Sequence, residues 1–89
     1  MIWNIKLIGK PDVNDINWLG GGDVVVEATL VADPTVRKEL RFRIWPDKPE
    51  EATVAFIEEW ARKELEKHEQ YLQNLARLAR ADLETTITV

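Results

Sequence analysis

Residues 23–45 read DVVVEATLVADPTVRKELRFRIW, two alternating runs on either side of a short polar turn. In an extended chain Val24, Val26, Ala28 and Leu30 share one face, and Val25, Glu27, Thr29 and Val31 share the other. Asp33 and Pro34 supply turn chemistry, after which the alternation resumes. Leu40, Phe42 and Ile44 then fall on one face, with Glu39, Arg41, Arg43 and Trp45 opposite. Period two on both sides of a turn predicts a β-hairpin, with strands over 23–32 and 38–45.

Upstream, IWNIKLI at 2–8 alternates in the same way, with Trp3, Ile5 and Leu7 on one face and Asn4 and Lys6 on the other. It predicts a further strand, joined to the hairpin by GKPDVNDINWLGGG, 9–22, whose Gly, Pro, Asn and Asp are loop residues. Downstream the period changes. Between Glu50 and Glu84 no Gly or Pro interrupts the chain, and Val54, Ile57, Ala61, Leu65, His68, Leu72, Leu75 and Ala79 recur at spacings of three and four. Asp47 as cap, Glu50 three residues later and Pro49 in the first turn are helix-start signals, which place one helix over 47–84. A break near Gln70–Asn74 into two helices is the competing reading. The C-terminal TTITV, 85–89, is read as a tail. Together these give a single α+β domain over 1–89: an antiparallel meander of about three strands in 1–46, with one long amphipathic helix packed on one face.

Composition narrows the chemistry. The 89 residues contain no cysteine and no serine, so disulfides, thiolate chemistry, cysteine metal sites and serine nucleophiles are all excluded. At 45% hydrophobic and 31% charged, the chain reads as soluble and globular. No apolar run approaches the roughly 18–20 residues of a membrane span, and MIWNIKLIGK lacks the features of a signal peptide. A cytoplasmic or virion location, with no membrane, is the expectation. The net charge of −4 arises entirely in residues 47–89, where ten acids face six bases. An acidic chain lacks the long-range field that gathers nucleic acid, so generic nucleic-acid binding is disfavoured.

The candidate sites divide into chemistry that fails and surfaces that remain. Gly20 to Gly22 opens a strand rather than a helix, and neither G-x-x-x-x-G-K-[ST] nor G-x-G-x-x-G is present, so the run reads as a turn and not as a phosphate cradle. Asp12, Asn14, Asp15 and Asn17 offer oxygen ligands, but Ile16 and Asn17 fall where a calcium loop needs a ligand and a glycine. Asx turns are the better account. His68, the single histidine, lies in the helix seam with no serine or cysteine to activate. Glu58, Glu59, Glu64, Glu66 and Glu69 form no Glu-x-x-His metal motif; spacings such as Glu58–Arg62 and Glu59–Lys63 suit a solvated helix face. No catalytic, metal or cofactor residue is assigned.

Two surfaces remain. Arg41, Arg43 and Trp45 lie on the outward strand face, and arginine beside an aromatic could serve as a nucleic-acid platform or a docking face for an acidic protein. Glu27 and Glu39 on the same face offer cross-strand ion pairs instead. The second surface is the helix itself. At about 50 Å, it would outrun strands of about 23–34 Å, leaving Leu65, Tyr71, Leu72, Leu75, Leu78 and Ala79 to be covered by a second copy, by another protein, or by a fold-back.

The layout, a short β-meander followed by a long charged helix without cysteine, resembles small proteins encoded by bacteriophages and prophages. The resemblance implies a virion or tail accessory protein, or an inhibitor of a host system, acting through protein contacts and not catalysis.

Overall fold

The computed structural model describes residues 1–12 and 21–89. Three strands precede one helix: β1 (Trp3–Gly9), β2 (Gly22–Leu30), β3 (Arg37–Ile44) and α1 (Val54–Leu78). The strands form one antiparallel sheet in the order β1-β2-β3, and α1 lies on one face of it. This is the α+β arrangement that the alternation predicts.

Register explains the core. Val24 pairs with Phe42 and Val26 with Leu40, while Ile5 and Leu7 of β1 pair with Ala28 and Val26. Paired residues share a face, so one side of the sheet is apolar across all three strands. Val24, Val26, Ala28 and Leu40 are buried with Ala61 and Leu65 of α1, and Trp3, Ile5, Ile44, Ile57 and Trp60 pack around them. The ring of Phe42 lies 5.6 Å from that of Phe56 and 5.1 Å from that of Trp60, tying β3 to the first turns of the helix. Val25, on the opposite face, is also buried. Its neighbour Gly9 follows an irregularity in the β1 register, and a Cβ on Gly9 would sit 3.1 Å from the Val25 side chain.

The β2–β3 turn is closed by its own residues. The Asp33 carboxylate accepts from the Thr35 hydroxyl at 2.7 Å and from the Thr35 N–H at 3.1 Å, an Asx turn. Those two hydrogen bonds, the side-chain one first, hold the Asp33 carboxyl below its ordinary range. At the other end of β2, Gly21 has φ +93°, and a Cβ there would run into the Ile44 carbonyl oxygen and the Trp45 ring. A left-handed backbone in close contact with its neighbour demands glycine here. Gly20 lies outside the described residues.

The helix is shorter than 47–84 at both ends. After β3 the chain turns, with the Lys48 N–H donating to the Trp45 carbonyl, and passes through a short 3₁₀ turn at Pro49–Glu51. Proline disfavours helical backbone in the residue before it, and Lys48, at φ −127° and ψ 65°, is not helical. Glu50 is therefore used up in the 3₁₀ turn and cannot complete a capping box with Asp47. Thr53 caps α1 instead: its Oγ1 accepts from the Phe56 N–H at 3.2 Å and donates to the Glu50 carbonyl at 3.2 Å. At the far end α1 stops at Leu78 and unwinds through tighter bonds, Arg80 N–H to Arg77 and Ala81 N–H to Leu78. Residues 81–89 form neither helix nor strand. α1 runs unbroken through Gln70–Asn74, so the two-helix alternative does not hold.

The displaced cap gives a direct test. Thr53→Ala should cost about 1 kcal/mol, whereas Asp47→Ala should stay within about 0.5 kcal/mol. Urea denaturation of the two variants checks the assignment, and the reverse order would return the helix start to Asp47.

Candidate protein interface

α1 runs obliquely from the Phe42–Ile44 end of the sheet to the Trp3 end. Phe56, Ile57 and Trp60 meet the first end, and Ala61 and Leu65 cross the middle. Glu69 reaches Trp3, whose indole Nε1 donates to its Oε1 at 3.0 Å, with the N-terminal ammonium 3.6 Å from the same oxygen. His68 meets the Trp3 ring edge-on at 6.2 Å between centroids and stacks on Tyr71 at 6.3 Å. Trp3 pairs with Leu30, the last residue of β2, so the sheet ends here. Nine residues of α1, from Gln70 to Leu78, continue past it. At 1.5 Å per residue they project roughly 14 Å.

This overhang keeps the apolar seam of the covered part. Leu72, Leu75 and Ala79 follow Ala61, Leu65 and His68 at spacings of four and three, which holds them on the sheet-facing side of the helix. Their surroundings differ. Leu65, expected at a partner interface, is only 6% exposed because it fills the intramolecular core beneath β2. Leu72 is half-buried, Leu75 is 45% exposed, Tyr71 58% and Leu78 68%, and Ala79 caps the helix in the open. The seam is thus intramolecular up to about His68, partly covered at Leu72 and exposed from Leu75 onward.

The outward face of β3 is more self-contained. Arg41 pairs with Glu39 of its own strand at 3.4 Å, and Arg43 with its cross-strand neighbour Asp23 at 3.4 Å. The expected pairing of Arg41 or Arg43 across to Glu27 is replaced by these contacts, because Glu27 lies opposite Glu39 and beside Lys6. The Arg43 guanidinium also covers the Trp45 ring at 4.7 Å, so the aromatic that could stack a base already carries a cation. The helix carboxylates make local pairs as well. Arg62 bridges Glu59 and Glu66, and Lys67 meets Glu64, in place of the spacings expected from Glu58. The Arg62 hydrogen bond holds the Glu59 carboxyl below its ordinary range, and Glu59 in turn raises Arg62.

Among the described residues no cluster of three His, Asp or Glu could hold a metal ion. The oxygen-ligand cluster noted in the sequence lies outside them, except for Asp12. An apolar cleft of about 290 Å³ opens between the lower end of β1–β2 and the start of α1, lined by Ile5, Leu7, Val24, Ile44 and Ile57. The one hydroxyl on its rim, Thr53, is engaged in the helix cap. No helix among the described residues is long and apolar enough to cross a membrane. Comparison with protein-family models, curated proteins and solved structures finds no match.

Sequence reading did not single out the Trp3–Glu69 hydrogen bond, which fixes where the sheet releases the helix. Sixty-six residues separate the partners, and only the inward position of Trp3 in its alternation pointed to a helix contact. A half-buried bond to a carboxylate contributes about 1 kcal/mol. Glu69→Ala should lose about that much in urea unfolding and shift the Trp3 indole N–H resonance, while Glu69→Gln, which keeps the acceptor, should recover most of it. Equal losses in both variants would show that the bond is immaterial.

Proposed function

We propose that this chain is a non-enzymatic structural or interaction protein that associates with a second copy through the C-terminal half of α1. The observation that carries this reading is the uncovered continuation of the core seam: Tyr71, Leu72, Leu75, Leu78 and Ala79 lie on a helix that has left its sheet. Burying a large apolar side chain contributes about 1.5–3 kcal/mol, and a four-three spacing suits helix-on-helix packing. The overall dimensions agree. The radius of gyration is 18.1 Å, against about 12 Å for a compact domain of this length. The accessible surface of 7296 Å² exceeds the roughly 5,400 Å² of a compact monomer of this mass by about 1,900 Å². A standard interface takes about 800 Å² from each partner, more than those five side chains supply. Leu83 and Ile87 of the tail are exposed as well and are available to enlarge it.

Antiparallel apposition of two overhangs satisfies these demands. Each stripe then covers the other, and the sheets stand at opposite ends of the pair. The ion pairs already made on the β3 face weigh against the nucleic-acid alternative, because Arg41 and Arg43 would have to give up Glu39 and Asp23 first. Of the roles that the phage resemblance implies, assembly into a virion or tail requires association of copies, whereas inhibition of a host system does not.

Light scattering tests the reading. The wild type should exceed the chain mass of 10.3 kDa at high micromolar concentration. Leu72→Glu together with Leu75→Glu should raise the dissociation constant at least about tenfold, one buried charge costing more than the 1.4 kcal/mol that factor represents. A wild type that stays at the monomer mass would overturn it.

A further inference from the structure

The outer edge of β3 and the tail beyond α1 carry matching patterns. The bond from the Leu30 N–H to the Val36 carbonyl sets the β2–β3 ladder. Lys38 and Leu40 therefore turn their backbone groups toward β2, and Arg37, Glu39 and Arg41 turn theirs outward. Among the described residues no strand pairs with that edge. Such an edge accepts an extended segment of another chain as a further strand.

Residues 83–89, LETTITV, suit that role. They form neither helix nor strand, and Leu83, Ile87 and Val89 stand exposed. Thr85 to Val89 are all β-branched, which favours extended backbone. Once extended, Leu83, Thr85, Ile87 and Val89 share one face, and Glu84, Thr86 and Thr88 share the other. β3 is divided in the same way. Lys38, Leu40 and Phe42 lie on the helix side of the sheet, and Arg37, Glu39 and Arg41 lie on the far side.

We infer that residues 84–89 of a second copy lie parallel to β3 from Arg37 to Phe42, as a fourth strand exchanged within the seam dimer. Glu84 then sits beside Arg37, whose Nε donates to the Pro34 carbonyl and whose terminal nitrogens meet the incoming carboxylate. Thr86 and Thr88 flank the Glu39–Arg41 ion pair without displacing it. On the helix side Thr85 lies beside Lys38, Ile87 beside Leu40 and Val89 beside Phe42. Unlike charges thus meet on the sheet face away from α1, and apolar side chains meet on the face beneath it. A slip of one residue would turn Leu83 and Ile87 to the arginine face, and a slip of two toward Phe42 would set Glu84 against Glu39.

The inference rests on the seam reading, which delivers the tail to this edge. With the two overhangs antiparallel, Leu78 of one copy lies opposite Gln70 of the other, at the Trp3 end of its sheet. Arg37 begins β3 at the same end, two strand spacings or about 10 Å across. Residues 79–83 span about 17 Å when extended, and they enter in the direction in which β3 runs. To meet its own Arg37 the tail must first reverse and retrace the overhang, so the second copy's edge is the nearer one.

The chain has no cysteine, so introduced cysteines report this contact directly. Full-length Glu39→Cys and Thr86→Cys proteins, mixed in equal amounts in a glutathione redox buffer, should form a 39–86 disulfide between chains, because neighbouring strands hold the two positions within bonding range. Lys6→Cys, on the same sheet face but in β1, should not link to Thr86→Cys. In light scattering Arg37→Glu should raise the dissociation constant about two- to fivefold, and adding Glu84→Lys should restore it. A wild type that dimerises while the 39–86 link is no stronger than the 6–86 link, or while Glu84→Lys brings no rescue, would overturn the tail contact and leave the seam standing. A link that forms only when both cysteines share one chain would place the tail on its own sheet and overturn the exchange. A wild type that stays at the monomer mass would overturn both.

Discussion

The seat of α1 on the sheet is the contact on which the rest of the structure depends. Ala28 and Ala61 are both wholly buried, and two side chains of one carbon each let the helix lie close to the central strand. Leu65 and Leu40 then fill the space on either side, with Val24 and Val26 beneath. No polar or charged residue is buried among those described. Cohesion between the two layers therefore comes from apolar contact, with Trp3–Glu69 as a polar stop at its far end. Enlarging either alanine would lift the helix off the sheet and loosen every contact along the seam.

From that seat follows a mismatch in length. The sheet supports α1 only until it reaches Trp3, and the helix goes on for nine more residues with the same apolar face. A single sheet layer under a single helix also leaves the outward side chains of β3, Arg37, Glu39, Arg41 and Arg43, exposed. The surplus of accessible surface over a compact monomer records both facts. The proposed seam dimer uses the first of these, through apolar contact that salt does not screen.

Much of this was legible in the sequence. Strict alternation in 23–45 fixes which side of each strand faces the helix, because a one-residue slip would put Arg41 and Arg43 in the core. The helical spacing from Val54 to Ala79 likewise gave the element and its face. The helix start was harder to read, since Asp47–Glu50 carries a good local capping pattern. Pro49, read there as a first-turn residue, instead holds the chain in a 3₁₀ turn after β3, and Thr53 takes the cap. The end was overrun because helix-compatible residues continue to Glu84, while nothing tertiary holds them past Leu78. Leu65 was grouped with the overhang, because spacing alone does not tell where a sheet ends.

Amide hydrogen exchange along α1, followed at low and high protein concentration, tests the central claim most directly. Amides of residues 57–68 rest on the sheet and should be protected equally at both concentrations. Those of residues 70–78 should exchange quickly in dilute protein, where an overhanging helix end frays with little free energy, and slow markedly as concentration rises and a second copy covers them. Protection of 70–78 that matches 57–68 in dilute protein, or that does not change with concentration, would contradict the account.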